Sequence, residues 1–123
     1  MKRILILTED PAARASAERT LVELGYEVEF RRTPAKAMER VRHRRRPRAV
    51  IVDVRLASGG CSTFIEACRR QARPAEMPIL VMAATPRTAV DAIRAGAQGC
   101  VKAPVASATL VPMLLQVNLP TPN

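Results

Sequence analysis

The stretch AVIVDVRLASGG, residues 49–60, joins a strand-like apolar run to an acidic residue and a loop with two glycines. The run Ala49–Asp53 is apolar at four consecutive positions and does not alternate with polar residues. Such continuous runs are typical of parallel strands that helices cover on both faces. A second run of this kind, Ile79–Ala83, reads ILVMA. We therefore predict two central strands, with Asp53 at the carboxyl end of the first.

Strand-like runs alternate with helical stretches along the whole chain. The five predicted strands are Arg3–Leu7, Glu27–Arg31, Ala49–Asp53, Ile79–Ala83 and Gly99–Lys102. This alternation is typical of βαβ units around a parallel sheet. A chain of 123 residues has room for one such domain. We assign residues 1–117 to it and residues 118–123 to a tail or linker.

Three predicted helices begin with the same local device, a side chain that can cap the helix followed by proline. The pairs are Asp10-Pro11, Thr33-Pro34 and Thr85-Pro86. The capping oxygen accepts a hydrogen bond from a free backbone amide, and the fixed φ of proline suits the first helical position. The helices are predicted over 11–24, 35–45, 62–72, 86–95 and 108–117.

Acidic side chains follow two of the predicted strands. Glu9 and Asp10 come after the first strand, and Asp53 ends the third. Ligands of open parallel sheets gather at the carboxyl ends of central strands, so Glu9 and Asp53 should face one pocket if their strands are neighbours. Two carboxylates there favour Mg²⁺, which would let Asp53 attack a phosphoryl group as an oxygen nucleophile. The residues leave one alternative open, an aspartate that only caps a loop.

The chain resembles the receiver domain of two-component response regulators over residues 2–117. The matching pieces are RILILTEDPAAR, GYEVE, AVIVDVRL, MPILVMAAT and AGAQGCVKAPV. The resemblance implies an α/β, flavodoxin-like, doubly wound sheet of five parallel strands in the order 2-1-3-4-5, with five helices. It also implies that Asp53 is the phospho-acceptor and that Glu9, Asp53 and the backbone carbonyl of Arg55 bind Mg²⁺. Asp10 is a further candidate ligand.

Four site positions depart from what the resemblance implies: Thr8, Ala83, Cys100 and Ala103. In the family these positions hold, in the same order, a second acid, a hydroxyl that binds the phosphoryl oxygen, an aromatic residue that relays the signal, and a lysine. Since these groups are missing, we expect Mg²⁺ binding to be weak or absent.

Two nearby residues are possible substitutes for the missing groups. Thr85 could replace the hydroxyl, although it is placed as a helix cap. Lys102 could replace the lysine, but alternation along a strand predicts that it points away from the pocket. By resemblance, Pro104 follows a cis peptide bond.

Two functions stay open, and neither makes the chain an enzyme. The first is a phosphorelay receiver that takes a phosphoryl group on Asp53 from a histidine kinase or phosphotransfer protein. The second is a pseudo-receiver that binds proteins without phosphorylation. In both cases the predicted fourth helix, fifth strand and fifth helix form the expected surface for a protein partner or a homodimer.

The net charge of +9 suggests a third function, nucleic-acid binding, with the run RVRHRRRPR at 40–48 as the contact. The chain holds only one tyrosine and two phenylalanines for stacking on bases, which disfavours that function. No apolar run reaches the roughly 18 residues that span a bilayer. Three cysteines without a CxxC pair are typical of reduced thiols. We expect a cytoplasmic protein that contacts no membrane.

Overall fold

The computed structural model describes residues 2–56 and 60–119, and in it the five predicted strands form one parallel sheet. The strands are β1 (Arg3–Leu7), β2 (Glu27–Arg31), β3 (Ala49–Asp53), β4 (Ile79–Ala83) and β5 (Gly99–Lys102). Their order is β2-β1-β3-β4-β5, which confirms the order that the resemblance implied. Every residue of β3 and β4 is buried, as expected of central strands.

Helices cover both faces of this sheet. They are α1 (Pro11–Glu23), α2 (Pro34–Val41), α3 (Cys61–Gln71), α4 (Val90–Ala95) and α5 (Ser107–Gln116), with a 3₁₀ turn over Pro86–Ala89 just before α4. Alternate residues of β1 belong to two separate cores because successive strand side chains point to opposite faces. Leu5 and Leu7 pack with α2 and α3, whereas Ile4 and Ile6 pack with α1 and α5.

The second helix is shorter than predicted. It ends at Val41 instead of continuing to residue 45. Arg40 folds back at this point, and its Nη1 donates a hydrogen bond to the Arg45 carbonyl at 2.5 Å. A longer helix would place Arg42 and Arg46, which are four residues apart, on the same side, and like charges at this spacing destabilise a helix. The chain instead turns toward β3, where the Arg48 amide donates to the Arg3 carbonyl at 2.8 Å.

Two of the three predicted helix caps are confirmed. Asp10 accepts from the Ala12 amide at 2.9 Å, and Thr33 accepts from the Lys36 amide at 3.2 Å. The cap predicted for Thr85 is wrong, because its side chain makes no capping hydrogen bond. The first turn there is 3₁₀, so the amide that the hydroxyl would have capped already donates to the Thr85 backbone carbonyl.

The packed part of the chain extends past the predicted boundary at residue 117. Leu119 is only 3% exposed, and its amide donates to the Leu114 carbonyl at 2.7 Å. Residues 120–123 of the predicted tail lie outside the described residues. The peptide bond before Pro104 is cis, as the resemblance implied. None of the described helices has the length and apolar character needed to cross a membrane.

Candidate functional site

Asp53 lies at the carboxyl end of β3 with only 3% of its surface exposed. Because β1 and β3 are paired neighbours, with Leu7 opposite Val52, the residue after β1 comes next to it. That residue is Thr8, whose hydroxyl donates to Asp53 Oδ2 at 2.8 Å. The same hydroxyl accepts from the Asp10 amide at 3.1 Å, which fixes its orientation. Thr8 therefore supplies a neutral donor where the resemblance implied a second acid.

Arg55 supplies the remaining contacts to the Asp53 carboxylate. Its backbone amide and its Nε both donate to Oδ1, at 2.9 and 3.1 Å. Its Nη2 donates to Oδ2 at 3.1 Å. The guanidinium therefore binds the carboxylate through two parallel hydrogen bonds, one from Nε and one from Nη2. Together with the Thr8 hydroxyl, four donors meet two oxygens, which is about the full capacity of a carboxylate.

The guanidinium of Arg55 also joins Asp53 to the start of α1. Its Nη2 donates to Asp10 Oδ2 at 3.0 Å, while Asp10 Oδ1 accepts from the Ala12 amide. One side chain thus links the end of β3 to the residue that caps α1. The sequence interpretation used only the backbone carbonyl of Arg55 and missed this role of its side chain. The spacing of Asp53 and Arg55, two residues apart at a strand end, is the signal that could have indicated it.

The surroundings of Asp53 keep its carboxyl ionised. Burial by itself would raise the pKa of Asp53, but the hydrogen bonds from Arg55 and Thr8 outweigh burial and hold the pKa below its ordinary value. The pKa of Asp10 is also lowered, first by the Ala12 amide and then by Arg55. The site therefore holds two carboxylates and one guanidinium at neutral pH.

The lowered pKa of Asp53 predicts a loss of stability in acid. Such a carboxyl stabilises the fold above its unfolded-state pKa of about 3.9, and the contribution disappears as pH falls through the folded-state pKa. The gap in free energy of unfolding between wild type and Asp53→Asn should shrink below roughly pH 5. Urea unfolding followed by circular dichroism across this range measures it. Asp91→Asn, exposed on α4, is the control, and a constant gap for Asp53→Asn would contradict the prediction.

A cavity of about 290 Å³ opens beside Arg55 and Asp10. Its far wall comes from the residues that follow β4 and β5, namely Ala84, Ala103 and Pro104. Ala83 is buried at the end of β4, where its carbonyl accepts from the Ala103 amide at 3.1 Å. This wall therefore presents methyl groups and a proline ring to the cavity.

Glu9 does not share this cavity. It is exposed and lines a separate cavity of about 120 Å³ toward Arg14 and Arg32, whose lining includes neither Asp53 nor Arg55. Asp53 lines neither of the two cavities, so the expectation that Glu9 and Asp53 face one pocket stays a prediction. Asp10, the residue after Glu9, lines both cavities and is the acid after β1 that reaches Arg55.

The remaining sequence candidates do not line the cavity beside Arg55. Lys102 is exposed and does not line the cavity, in agreement with the alternation along β5. Cys100 is half-buried and packs against the core on the α3 and α4 side of the sheet. Thr85 is exposed, and its carbonyl accepts from the Thr88 hydroxyl at 2.8 Å. The structure therefore brings Thr8, Asp10 and Asp53 together but leaves these three outside.

The arrangement does not fit a bound Mg²⁺ while Arg55 is in place. Residues 2–56 and 60–119 contain no group of three or more carboxylate, imidazole or thiol side chains that could hold a metal ion. Nη2 of Arg55 lies 3.0 Å from Asp10 Oδ2 and 3.1 Å from Asp53 Oδ2, where a cation shared by these carboxylates would have to lie. Mg²⁺ needs near-octahedral oxygen ligands, so the guanidinium would have to leave first.

Comparison with known proteins identifies the family. The family model for the response regulator receiver domain matches residues 4–115, whereas no curated protein matches the chain. The chain is similar to the chemotaxis response regulator CheY4 of Vibrio cholerae, with 26% identity, a TM-score of 0.80 and coverage of 95% of this chain and 98% of that one.

Two further solved structures show the same fold. One is the receiver domain of a Pseudomonas aeruginosa sensor histidine kinase, solved with a magnesium ion in its cleft, with 22% identity, a TM-score of 0.82 and coverage of 95% and 98%. The other is a CheY-like receiver domain protein of Methanospirillum hungatei, with 24% identity, a TM-score of 0.79 and coverage of 96% and 94%. The chain belongs to the family of response regulator receiver domains, the signalling domains of two-component systems.

Proposed function

We propose that this receiver domain acts as a pseudo-receiver, a protein-interaction module that works without phosphorylation of Asp53. The observation that carries the proposal is the wall of the cavity beside Asp10 and Arg55, the arginine that pairs with Asp53; Ala84, Ala103 and Pro104 form this wall. A phosphoryl group on Asp53 would find no hydroxyl and no ammonium on these residues. Each missing charge-assisted hydrogen bond is worth roughly 1.5–3 kcal/mol. An acyl phosphate would therefore form slowly here and gain little from closing the site.

The contacts of Asp53 also support the proposal. A carboxylate nucleophile must offer a free lone pair to phosphorus. Both oxygens of Asp53 already accept two hydrogen bonds each, from Thr8 and Arg55. At least one of these bonds would have to break before the attack.

Chemical labelling tests the proposal. We expect no phosphoryl adduct when the purified protein is incubated with Mg²⁺ and acetyl phosphate and its intact mass is measured. The double variant Ala83→Thr with Ala103→Lys restores the missing donors, and once Arg55→Ala has also freed the carboxylates for Mg²⁺, it should be labelled more than wild type. Adduct formation by wild type that Asp53→Asn abolishes would overturn the pseudo-receiver proposal.

A second candidate is a receiver that accepts a phosphoryl group on Asp53 from a histidine kinase or phosphotransfer protein. The lowered pKa of Asp53 favours it, because the carboxylate is ionised and therefore nucleophilic at neutral pH. Mg²⁺ would then be held by Asp53 with Asp10 or Glu9 and the Arg55 carbonyl, after the Arg55 side chain has left. The labelling experiment decides between the two candidates.

In either case the proposed contact surface is formed by α4, β5 and α5. It carries exposed apolar side chains, with Val90 and Ile93 each 41% exposed and Leu115 60% exposed. A protein partner or a second copy of the chain suits such a surface better than a polyanion does. Part of the basic run is engaged within the fold, since Arg40 pairs with Glu29 and Arg46 donates to the Gln71 carbonyl. We place this function in the cytoplasm.

A further inference from the structure

We infer that the guanidinium of Arg55 is the built-in cation of this site, in the place that a divalent metal ion would take between Asp53 and Asp10. The inference deepens the proposed function and rests on it, because a cation position that a side chain already fills suits a site that does not exchange phosphoryl groups. Mg²⁺ and Arg55 compete for the same two carboxylates, and in the wild-type protein Arg55 keeps the ion from binding.

The geometry carries this inference. The edge of the guanidinium formed by Nε and Nη2 pairs with both oxygens of Asp53, and the second N–H of Nη2 reaches Asp10 Oδ2 at 3.0 Å. Planar, two-point pairing of this kind is the strongest contact that an arginine makes with a carboxylate. Asp53 is buried, with 4% of its side chain exposed, so its charge needs a partner inside the protein.

The position of Arg55 also explains how a metal ion could still enter. Its side chain is 56% exposed, so water reaches the guanidinium from outside. Mg²⁺ would have to break three side-chain hydrogen bonds of Arg55 and shed part of its own hydration shell. Removing the guanidinium would leave two carboxylates without a cation and open the site to the ion.

Thermal unfolding with and without Mg²⁺ tests the competition. The proteins are wild type, Arg55→Ala and the control Arg44→Ala, which removes the same charge from an exposed position between α2 and β3. We expect Arg55→Ala to lower the Tm by roughly 3–6 °C, because it leaves a buried charge unpaired. About 10 mM Mg²⁺, at matched ionic strength, should recover at least about half of that loss by binding only the folded state. Wild type and Arg44→Ala should not respond to the ion.

The Asp53→Asn background shows whether the effect belongs to this ion pair. In that background Arg55→Ala should lower the Tm much less, and Mg²⁺ should not raise it, because the negative charge of Asp53 is no longer present. Arg55→Gln takes the place of Arg55→Ala if the alanine variant does not fold. The inference is overturned if Mg²⁺ raises the Tm of wild type as much as that of Arg55→Ala, or if it raises neither. Neither outcome depends on acetyl phosphate labelling, so the failure of this inference and the failure of the proposed function can be told apart.

Discussion

Replacing Leu114 with alanine should lower the free energy of unfolding by about 3–5 kcal/mol, the largest effect that we expect in this protein. Leu114 lies on the buried side of α5 with 1% of its surface exposed, in the core that also holds Ile4 and Ile6 of β1. The loss combines two terms: the free energy that the removed methyl groups gain by being buried, and the cost of the cavity that they leave behind. That core also includes Leu119, whose amide bonds to the Leu114 carbonyl.

The neighbouring residue provides the matched control. Leu115 is 60% exposed, so Leu115→Ala removes the same atoms from the same helix and should change stability by less than about 0.5 kcal/mol. Urea unfolding followed by circular dichroism measures both variants. Equal losses for the two leucines would contradict the assignment of the buried and exposed sides of α5. The exposed leucine would then not belong to the proposed contact surface.

The second large effect concerns Arg69 on α3. Its guanidinium donates to the carbonyls of Gly96, Met77 and Ala72 and to Gln98 Oε1, at 2.9 to 3.2 Å. These acceptors lie on two connecting segments, one from α3 to β4 and the other from α4 to β5, so one side chain joins both segments to α3. Hydrogen bonds to a charged donor contribute roughly 1.5–3 kcal/mol each, and half-burial lets water replace part of them. We expect Arg69→Ala to cost about 2–4 kcal/mol of stability.

Arg70 is the control for this prediction, because it is exposed and next to Arg69 on the same helix. Arg70→Ala should stay within about 0.5 kcal/mol of wild type in urea unfolding. If Arg69→Ala were as mild as Arg70→Ala, the four contacts would contribute little to the fold. Gly96 takes part in this packing, since an added Cβ would lie 2.7 Å from Arg69 Cγ and its φ is +130°.

Much of the site could be predicted from local patterns, but its contacts could not. Asp53 was predicted at the end of a buried strand because the apolar run and the acid are adjacent in sequence. That Asp10 reaches Arg55 depends on how the start of α1 lies against the end of β3, which local sequence patterns do not show. The side chain of Arg55 has several rotatable bonds, and only the nearby carboxylates select the conformation that covers Asp53.

Local sequence patterns were enough to predict the five strands, the helix starts at Asp10-Pro11 and Thr33-Pro34, and the acid at the sheet edge. These features depend on side-chain periodicity and on backbone chemistry within a few residues. The same patterns did not predict the end of α2, the 3₁₀ turn after Thr85 or the cation that faces Asp53. Those features depend on which distant groups come into contact, and contacts between strands 45 residues apart, such as Thr8 with Asp53, form only when the sheet is assembled.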